Sequence, residues 1–236
     1  PQRQIDQHPI DIGTSLHDLQ INTDAAAINR LRGQPGEYVR CTVTAGTNAF
    51  RNVAVRLKGN VGSFQTLDHK PSLTLNFDKF EKVRRFHQFD KVHLNNSVQD
   101  PTYLRELLCS ELFRKAGLPS PRVGHARVEL NGRDLGLYVI VQGYNKTFLE
   151  EHFADSDGTL YDGGSRKDVY EGLLAKPRSN DPEGKEPRAL LDAANPVDHA
   201  QRFRGLSDVL RMDDFITFVA MEIAANSIDG YVMQRN

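Results

Sequence analysis

Two runs that read as β-strands, Arg122–Leu130 and Leu135–Gln142, are joined through Asn131-Gly132. That dipeptide is the strongest hairpin signal in the chain, because a tight two-residue turn calls for residues that tolerate positive φ. The second run ends in LYVIVQ, which is apolar at every position but the last and so belongs in the middle of a sheet. The chain must therefore build a sheet around this hairpin.

Other strand signals surround it. Tyr38–Ala45 and Phe50–Lys58 alternate apolar with polar residues across Gly46-Thr47-Asn48, a second hairpin. A further strand begins after Pro71, where Leu73, Leu75 and Phe77 alternate with Ser72, Thr74 and Asn76, and Phe89–Asn95 forms another. One helix stands among them. Over Pro101–Lys115, Asp100 suits the N-cap and Pro101 the first helical position, while Gly117 and Pro119 stop the helix. Its expected apolar stripe is Leu104, Leu107, Leu108 and Leu112. Short helices are expected at Asn145–Phe153, near Val169–Leu174 and at Arg188–Ala194, a longer one over Val197–Leu210, and Gly158–Tyr161 reads as a strand. A last helix leads from Met212 to Asn226-Ser227. Strands first and helices later describe an α+β chain with a sheet-rich first lobe and a helical second lobe. The expected divisions are an irregular segment over 1–37, a first lobe over 38–142, and a hinge with part of a second lobe over 143–236. A mobile, Pro- and Gly-rich insertion is expected over 162–200.

Composition removes several classes of function. Thirty basic and 31 acidic side chains in 236 residues give a net charge of −1, which argues against a general nucleic-acid binder. The two cysteines, Cys41 and Cys109, form no metal or disulfide framework and are expected as buried free thiols, a bridge between them being the alternative. The eight histidines show no HExxH spacing and no GxSxG elbow occurs, so a zinc or serine hydrolase is not indicated. No apolar run reaches the ~20 residues of a membrane span. The chain opens at Pro1 and ends just after a turn, so it is expected to be a piece of a longer protein.

Three places carry chemistry. Glu111 falls within the apolar stripe of its helix, where a buried carboxylate would need a basic partner, or else it lies at the stripe's edge and reaches water. Lys58 and Lys70 bracket a loop containing Gly59, Gly62 and Ser63. That loop is either a phosphate cover or the plain tip of a hairpin. Asp229-Gly230 follows the last helix, as a simple turn or as a carboxylate held on rigid scaffold for acid–base work.

An ordered set of stretches resembles the CotH family of spore-coat and secreted proteins, atypical protein kinases. They are VAVRLKGNVGS, HKPSLTLNF, HLNNSVQDPTYLRELL with LFRKAGLPSPR, RVELNGRDLGLYVIVQ, KTFLEEHF, GTLYDG and NSIDGYVMQRN, spanning about residues 38–161 and 212–236. The resemblance implies a protein-kinase-like bilobal fold, with a β-rich N-lobe holding one key helix and a helical, here incomplete, C-lobe. It implies ATP, Mg²⁺ or Mn²⁺, and transfer of the γ-phosphate to Ser or Thr of a protein substrate, in a secreted or cell-surface setting. Matched to the family, Asp229 is the catalytic aspartate and Asn236, seven residues on, the metal-binding asparagine. Lys70 is the first choice for the ATP phosphates and Lys58 the second, with Glu111 as their helix partner and Gln142 and Tyr144 where adenine would meet the hinge. The family's further metal-binding acid matches no residue of this chain, so the 236 residues alone are expected to bind nucleotide weakly and transfer phosphate slowly or not at all. The alternative is a catalytically inactive binding or structural module of a surface or secreted protein.

Overall fold

The computed structural model describes residues 15–60, 62–81, 85–161, 185–227 and 230–233. The chain divides into two compact units. One takes the residues up to Ser110 together with Pro121–Phe148, and the other takes Glu111–Ser120 with the residues from Leu149 onward.

The first unit is a closed barrel of seven strands. They are β1 (Leu16–Asn22), β2 (Val39–Ala45), β3 (Asn48–Lys58), β4 (Ser72–Asn76), β5 (Lys91–Asn95), β6 (Val123–Leu130) and β7 (Arg133–Gln142), with α1 (Ala25–Gly33) between β1 and β2. The order around the barrel is β1-β2-β3-β4-β5-β7-β6, and β1 closes the ring by pairing parallel to β6. The other pairings are antiparallel. Alternation fills the interior: His17, Leu19 and Ile21 of β1 are buried while their neighbours face out, and Val92 and Leu94 of β5 repeat the pattern. Two bulges bend the wall. An extra residue in β3 lies near Asn52, which takes φ 55°, and another in β7 lies beside Gly136, at φ 79°. Such bulges sharpen the local twist and help a small sheet curl shut.

The Asn131-Gly132 turn behaves as its sequence demands, with φ of 46° and 80°. Asn131 does a second job. Its backbone N–H donates to the Ile21 carbonyl at 2.9 Å, its side-chain oxygen accepts from Thr23 N at 2.8 Å, and its side-chain nitrogen donates to Thr23 O at 3.0 Å. The hairpin tip thus pins the end of β1. Inside, Phe77 and Phe86 stack at 5.6 Å, and the fully buried Tyr138 donates its hydroxyl to the Pro71 carbonyl at 2.9 Å. Cys41 and Cys109 are both free; burial pushes the Cys41 thiol up to about 12.

The helices are α1, α2 (Arg105–Lys115), α3 (Lys146–His152), α4 (Lys185–Ala194), α5 (His199–Val209) and α6 (Met212–Ala224), followed by a 3-10 turn at Tyr231–Met233. α2 begins later than its sequence suggested. Asp100 caps the turn before it, accepting from Thr102 N at 3.2 Å and Arg105 N at 2.9 Å, and Tyr103 takes φ 59°, a conformation no helix interior allows.

This architecture corrects the expected α+β, bilobal kinase-like fold. Residues 16–22, read as irregular, are a barrel strand, and with β1 in place the sheet closes on itself. The helices α4, α5 and α6 do not bury the apolar stripes that a helical lobe requires. α4 buries only Pro187, α5 buries nothing, and α6 buries only Glu222. The helix expected near Val169–Leu174 lies outside the described residues.

If β1 closes the barrel, truncating its core side chain must be costly. Ile21→Ala is expected to lose about 2–4 kcal/mol of stability in chemical denaturation, as for other large-to-small core changes. A loss under half a kcal/mol would mean that residues 16–22 are not part of the core.

Candidate functional site

Three strands set the geometry. β4 lies between β3 and β5. Lys58, the last residue of β3, is the register partner of Ser72, and Asn95, the last residue of β5, follows Leu94, the partner of Leu73. Lys58 and Asn95 therefore emerge at the same end of β4. Ser72 between them is small and buried, so the longer side chains meet across it. The Lys58 ammonium donates to Asn95 Oδ1 at 2.7 Å. Asn95 Nδ2 donates onward to Glu106 Oε2, in the first turn of α2, at 2.6 Å. A lysine and a carboxylate are thus joined through one amide.

Burial sets the charges of this row. It pushes the Lys58 ammonium below the usual lysine range, Glu106 opposes that shift, and Arg56 adds to it. Burial likewise pushes the Glu106 carboxyl above the usual range, against the Asn95 hydrogen bond and the Lys58 charge, while Asp100 adds a smaller push upward. Tyr144 stands nearby: the residue is 46% exposed, and burial of its hydroxyl together with the Glu106 charge pushes its phenol up. The row is a desolvated cation and a desolvated anion sharing a neutral bridge, the kind of environment in which functional groups are tuned.

The glycine loop that follows Lys58 is tight. Gly59 takes φ 127°, and a Cβ there would lie 2.9 Å from Phe64 Cα. The loop closes on itself, with Ser63 N and Phe64 N donating to the Asn60 carbonyl at 3.0 and 2.9 Å, and Asn60 N donating to Ser63 Oγ at 3.2 Å. Those amides are spent internally. Asn96 ties the loop down, donating from Nδ2 to Ser63 O at 3.1 Å and to Lys70 O at 2.8 Å.

The remaining sequence-derived residues fall elsewhere. Lys70 donates to Tyr103 Oη at 2.8 Å and to the Leu137 carbonyl at 2.7 Å, with its ammonium over the Tyr103 and Tyr138 rings at 4.9 and 5.0 Å. Gln142 is fully buried, and its Oε1 accepts from Arg122 N at 3.0 Å, stapling β7 to the approach of β6. Glu111 faces Arg114 at 2.5 Å and Lys115 at 3.9 Å on its own helix. The stripe in which Glu111 was placed is largely exposed, with Leu104, Leu108 and Leu112 at 45%, 56% and 48%, whereas Leu107 packs on Val123, Val139 and Val141. Asp229 and Asn236 lie outside the described residues. Glu222 of α6 accepts from Tyr231 N at 3.1 Å and Val232 N at 2.9 Å, fastening the turn that begins at Gly230. Sequence reasoning missed Asn95 and Glu106. The available signal was the position of Glu106 on the α2 face opposite the exposed leucines.

The geometry defines a barrel protein with a lysine, asparagine and glutamate row at one end of its β3–β5 wall. The family model described as CotH kinase protein matches residues 55–236, more than half of the chain, so the chain belongs to the CotH family. It is similar to Inner spore coat protein H of Bacillus subtilis (strain 168), at 21% identity over 65% of this chain and 46% of that protein. It is also similar to two proteins of Rhizopus delemar, Invasin CotH7 and Spore coat protein homolog 1. These are 25% and 24% identical over 58% of this chain and 25% of each relative. The chain thus spans less than half the length of the curated relatives it matches. No helix among the described residues is long and apolar enough to cross a membrane.

The two carboxylates of α2 should behave differently. Glu106→Ala removes the acceptor at the end of a half-buried row and is expected to cost about 1–2 kcal/mol in denaturant unfolding. Glu111→Ala breaks only surface pairs and should stay within about 0.5 kcal/mol of the parent.

Proposed function

We propose that this chain acts in phosphoryl transfer, as an atypical kinase that moves the ATP γ-phosphate to Ser or Thr of a protein substrate, with Lys58 as the phosphate-binding lysine. The observation that carries the reading is the Lys58, Asn95 and Glu106 row. The donor set suits a phosphate: Lys58 spends one N–H on a neutral amide oxygen and makes no direct ion pair among the described residues. Phosphoryl transfer is catalysed mainly by positioning and by cations placed on phosphate oxygens. Bound ATP with Mg²⁺ or Mn²⁺ supplies the transferable group. Lys58 holds a phosphate oxygen, and Glu106 keeps the ammonium in place through Asn95. We assign to Asp229, on the resemblance of its stretch to the family's, the taking or orienting of the acceptor hydroxyl's proton, and to Asn236 the metal side. No group of three or more His, Cys, Asp or Glu side chains placed to hold a metal ion occurs among the described residues. Magnesium commonly relies on one or two carboxylates plus the phosphates themselves. Tyr144, partly exposed beside Glu106, is the residue we assign to the adenine side. Lys70 serves as a second lysine behind the loop.

Two of the relatives carry spore-coat names, and one of the two Rhizopus delemar proteins is named an invasin. We extend a coat or cell-surface setting to this chain on that basis. The same names favour a second reading, a binding or structural module of a surface layer without catalysis.

Calorimetric titration with ATP and Mg²⁺ or Mn²⁺, paired with a radiolabel transfer assay on a Ser/Thr-rich protein, separates the two. Lys58→Ala should weaken ATP binding at least tenfold and Lys70→Ala less. Asp229→Ala should keep binding and lose about 10²-fold or more in transfer, the usual scale for a general base. ATP affinity should also fall with rising pH sooner than an ordinary lysine near 10.4 would allow, because the Lys58 pKa is lowered and the charged form is the one that binds. A parent protein that binds no nucleotide under either metal leaves the structural module as the function.

A further inference from the structure

Among the described residues, Asn95 is the one that hydrogen-bonds both charged members of the row, and its chemistry fits that place in one orientation only. Its amide oxygen meets the Lys58 ammonium and its amide nitrogen meets the Glu106 carboxylate. Flipped, the amide would set N–H groups against an ammonium and an oxygen against a carboxylate, two repulsive contacts. A carboxylate at 95 would face Glu106 as a like charge, and an apolar side chain would strip both partners of a hydrogen bond. The base beneath it is rigid. Asn96 N donates to Ser72 Oγ at 3.0 Å, and Asn96 Nδ2 holds Ser63 O and Lys70 O, so the backbone at the end of β5 is fastened to β4 and to the glycine loop.

We infer that Asn95 is a positioning residue that sets the charge and direction of Lys58, holding Glu106 close enough to favour the ammonium and too far to pair with it directly. The consequence bears on ligand choice. A direct carboxylate contact would occupy the lysine's N–H groups and cancel its field, whereas the amide spacer leaves two N–H donors for an anion. This deepens the phosphate-binding role proposed for Lys58 and rests on it for that consequence; the effect on Lys58 itself does not depend on any ligand.

The groups facing the row from its surroundings are Arg56 on β3, Glu106 on α2, Asp100 before α2 and Tyr144 after β7. They are unchanged in the variants Asn95→Asp and Asn95→Leu, so the position-95 side chain is the variable. The test is a pH titration of the Lys58 side-chain ¹⁵N resonance in the ligand-free protein, assigned by its loss in Lys58→Arg. Asn95→Asp should move the Lys58 pKa up from the parent value and Asn95→Leu should move it down, opposite shifts that general loosening of the fold would not produce. Because Asn95→Asp could unfold the site, Glu106→Gln serves as a second handle of unchanged size. It should lower the Lys58 pKa, and by a smaller amount when combined with Asn95→Leu, the signature of coupling through Asn95. A Lys58 pKa that is unmoved by Asn95→Leu, or a Glu106→Gln effect of equal size with and without Asn95, overturns the inference. Inorganic tripolyphosphate binding then tests the dependent step. The parent should bind it, and Asn95→Asp should weaken it at least tenfold. Parent protein that ignores tripolyphosphate while the Lys58 shifts appear as stated defeats the phosphate reading and leaves the positioning role of Asn95 standing.

Discussion

The parallel pairing of β1 with β6 is the constraint on which the rest of the barrel depends. Without it, β1 and β6 would each keep an unpaired edge, and the buried face of His17, Leu19 and Ile21 would lose the closed barrel that covers it. The pairing is parallel and joins residues more than a hundred positions apart, so it carries a large loop-closure cost. Asn131 offsets part of that cost locally, because the residue that shapes the β6–β7 turn also grips Thr23 and Ile21 at the end of β1. One short polar side chain thus serves two pieces of geometry, the turn and the closure.

Closure is also what makes the lysine row rigid. Lys58 and Asn95 sit at the ends of strands whose registers are fixed on both sides, and the small Ser72 sets the distance between them. The glycine loop rests on the same foundation through Asn96, which reaches both the loop and the Lys70 backbone. A site built from strand ends in a closed sheet holds its geometry better than one built from loops. Lys70 shows the contrast. Two aromatic rings, a phenol and a carbonyl already satisfy it, so its charge is invested in joining β7 to the segment before β4.

Six of the barrel's strands were legible in the sequence, but their closure into a barrel was not. Asn131-Gly132 marked its turn, LYVIVQ a central strand, and the alternation of Ser72–Phe77 a further wall. What escaped was β1. Its buried set is His17, Leu19 and Ile21, and a histidine at the first inward position and polar neighbours made the run resemble a polar arm. Only its partners, distant in sequence, give it a place. The α2 helix was read on the wrong face for a related reason. The expected stripe was Leu104, Leu107, Leu108 and Leu112, yet Leu107 alone of these four packs on the Val123, Val139 and Val141 cluster, and the residue beside it is Glu106. Periodicity shows that a helix has an apolar side; it does not show which side finds a partner. Asn95 had no sequence signal at all, since an asparagine at a strand end is ordinary.

The energetics bear on why such a row exists. A desolvated lysine and a desolvated glutamate each lose hydration that their mutual attraction recovers only in part, and similar pairs elsewhere can be replaced by apolar residues without loss of stability. Here the two do not even touch, so their attraction is weaker than in a contact pair while the desolvation remains. The opposed shifts record this: the site pulls Lys58 toward neutrality by burial, and Glu106 pulls it back. By linkage, a lysine whose folded pKa is lowered makes the folded state less stable below that pKa, and stability is regained as pH rises from the folded toward the unfolded value. Keeping Lys58 charged at neutral pH therefore costs the fold some stability. A row that costs stability, is held by a single correctly oriented amide and leaves N–H donors unspent is accounted for by what it can bind, not by what it adds to the barrel.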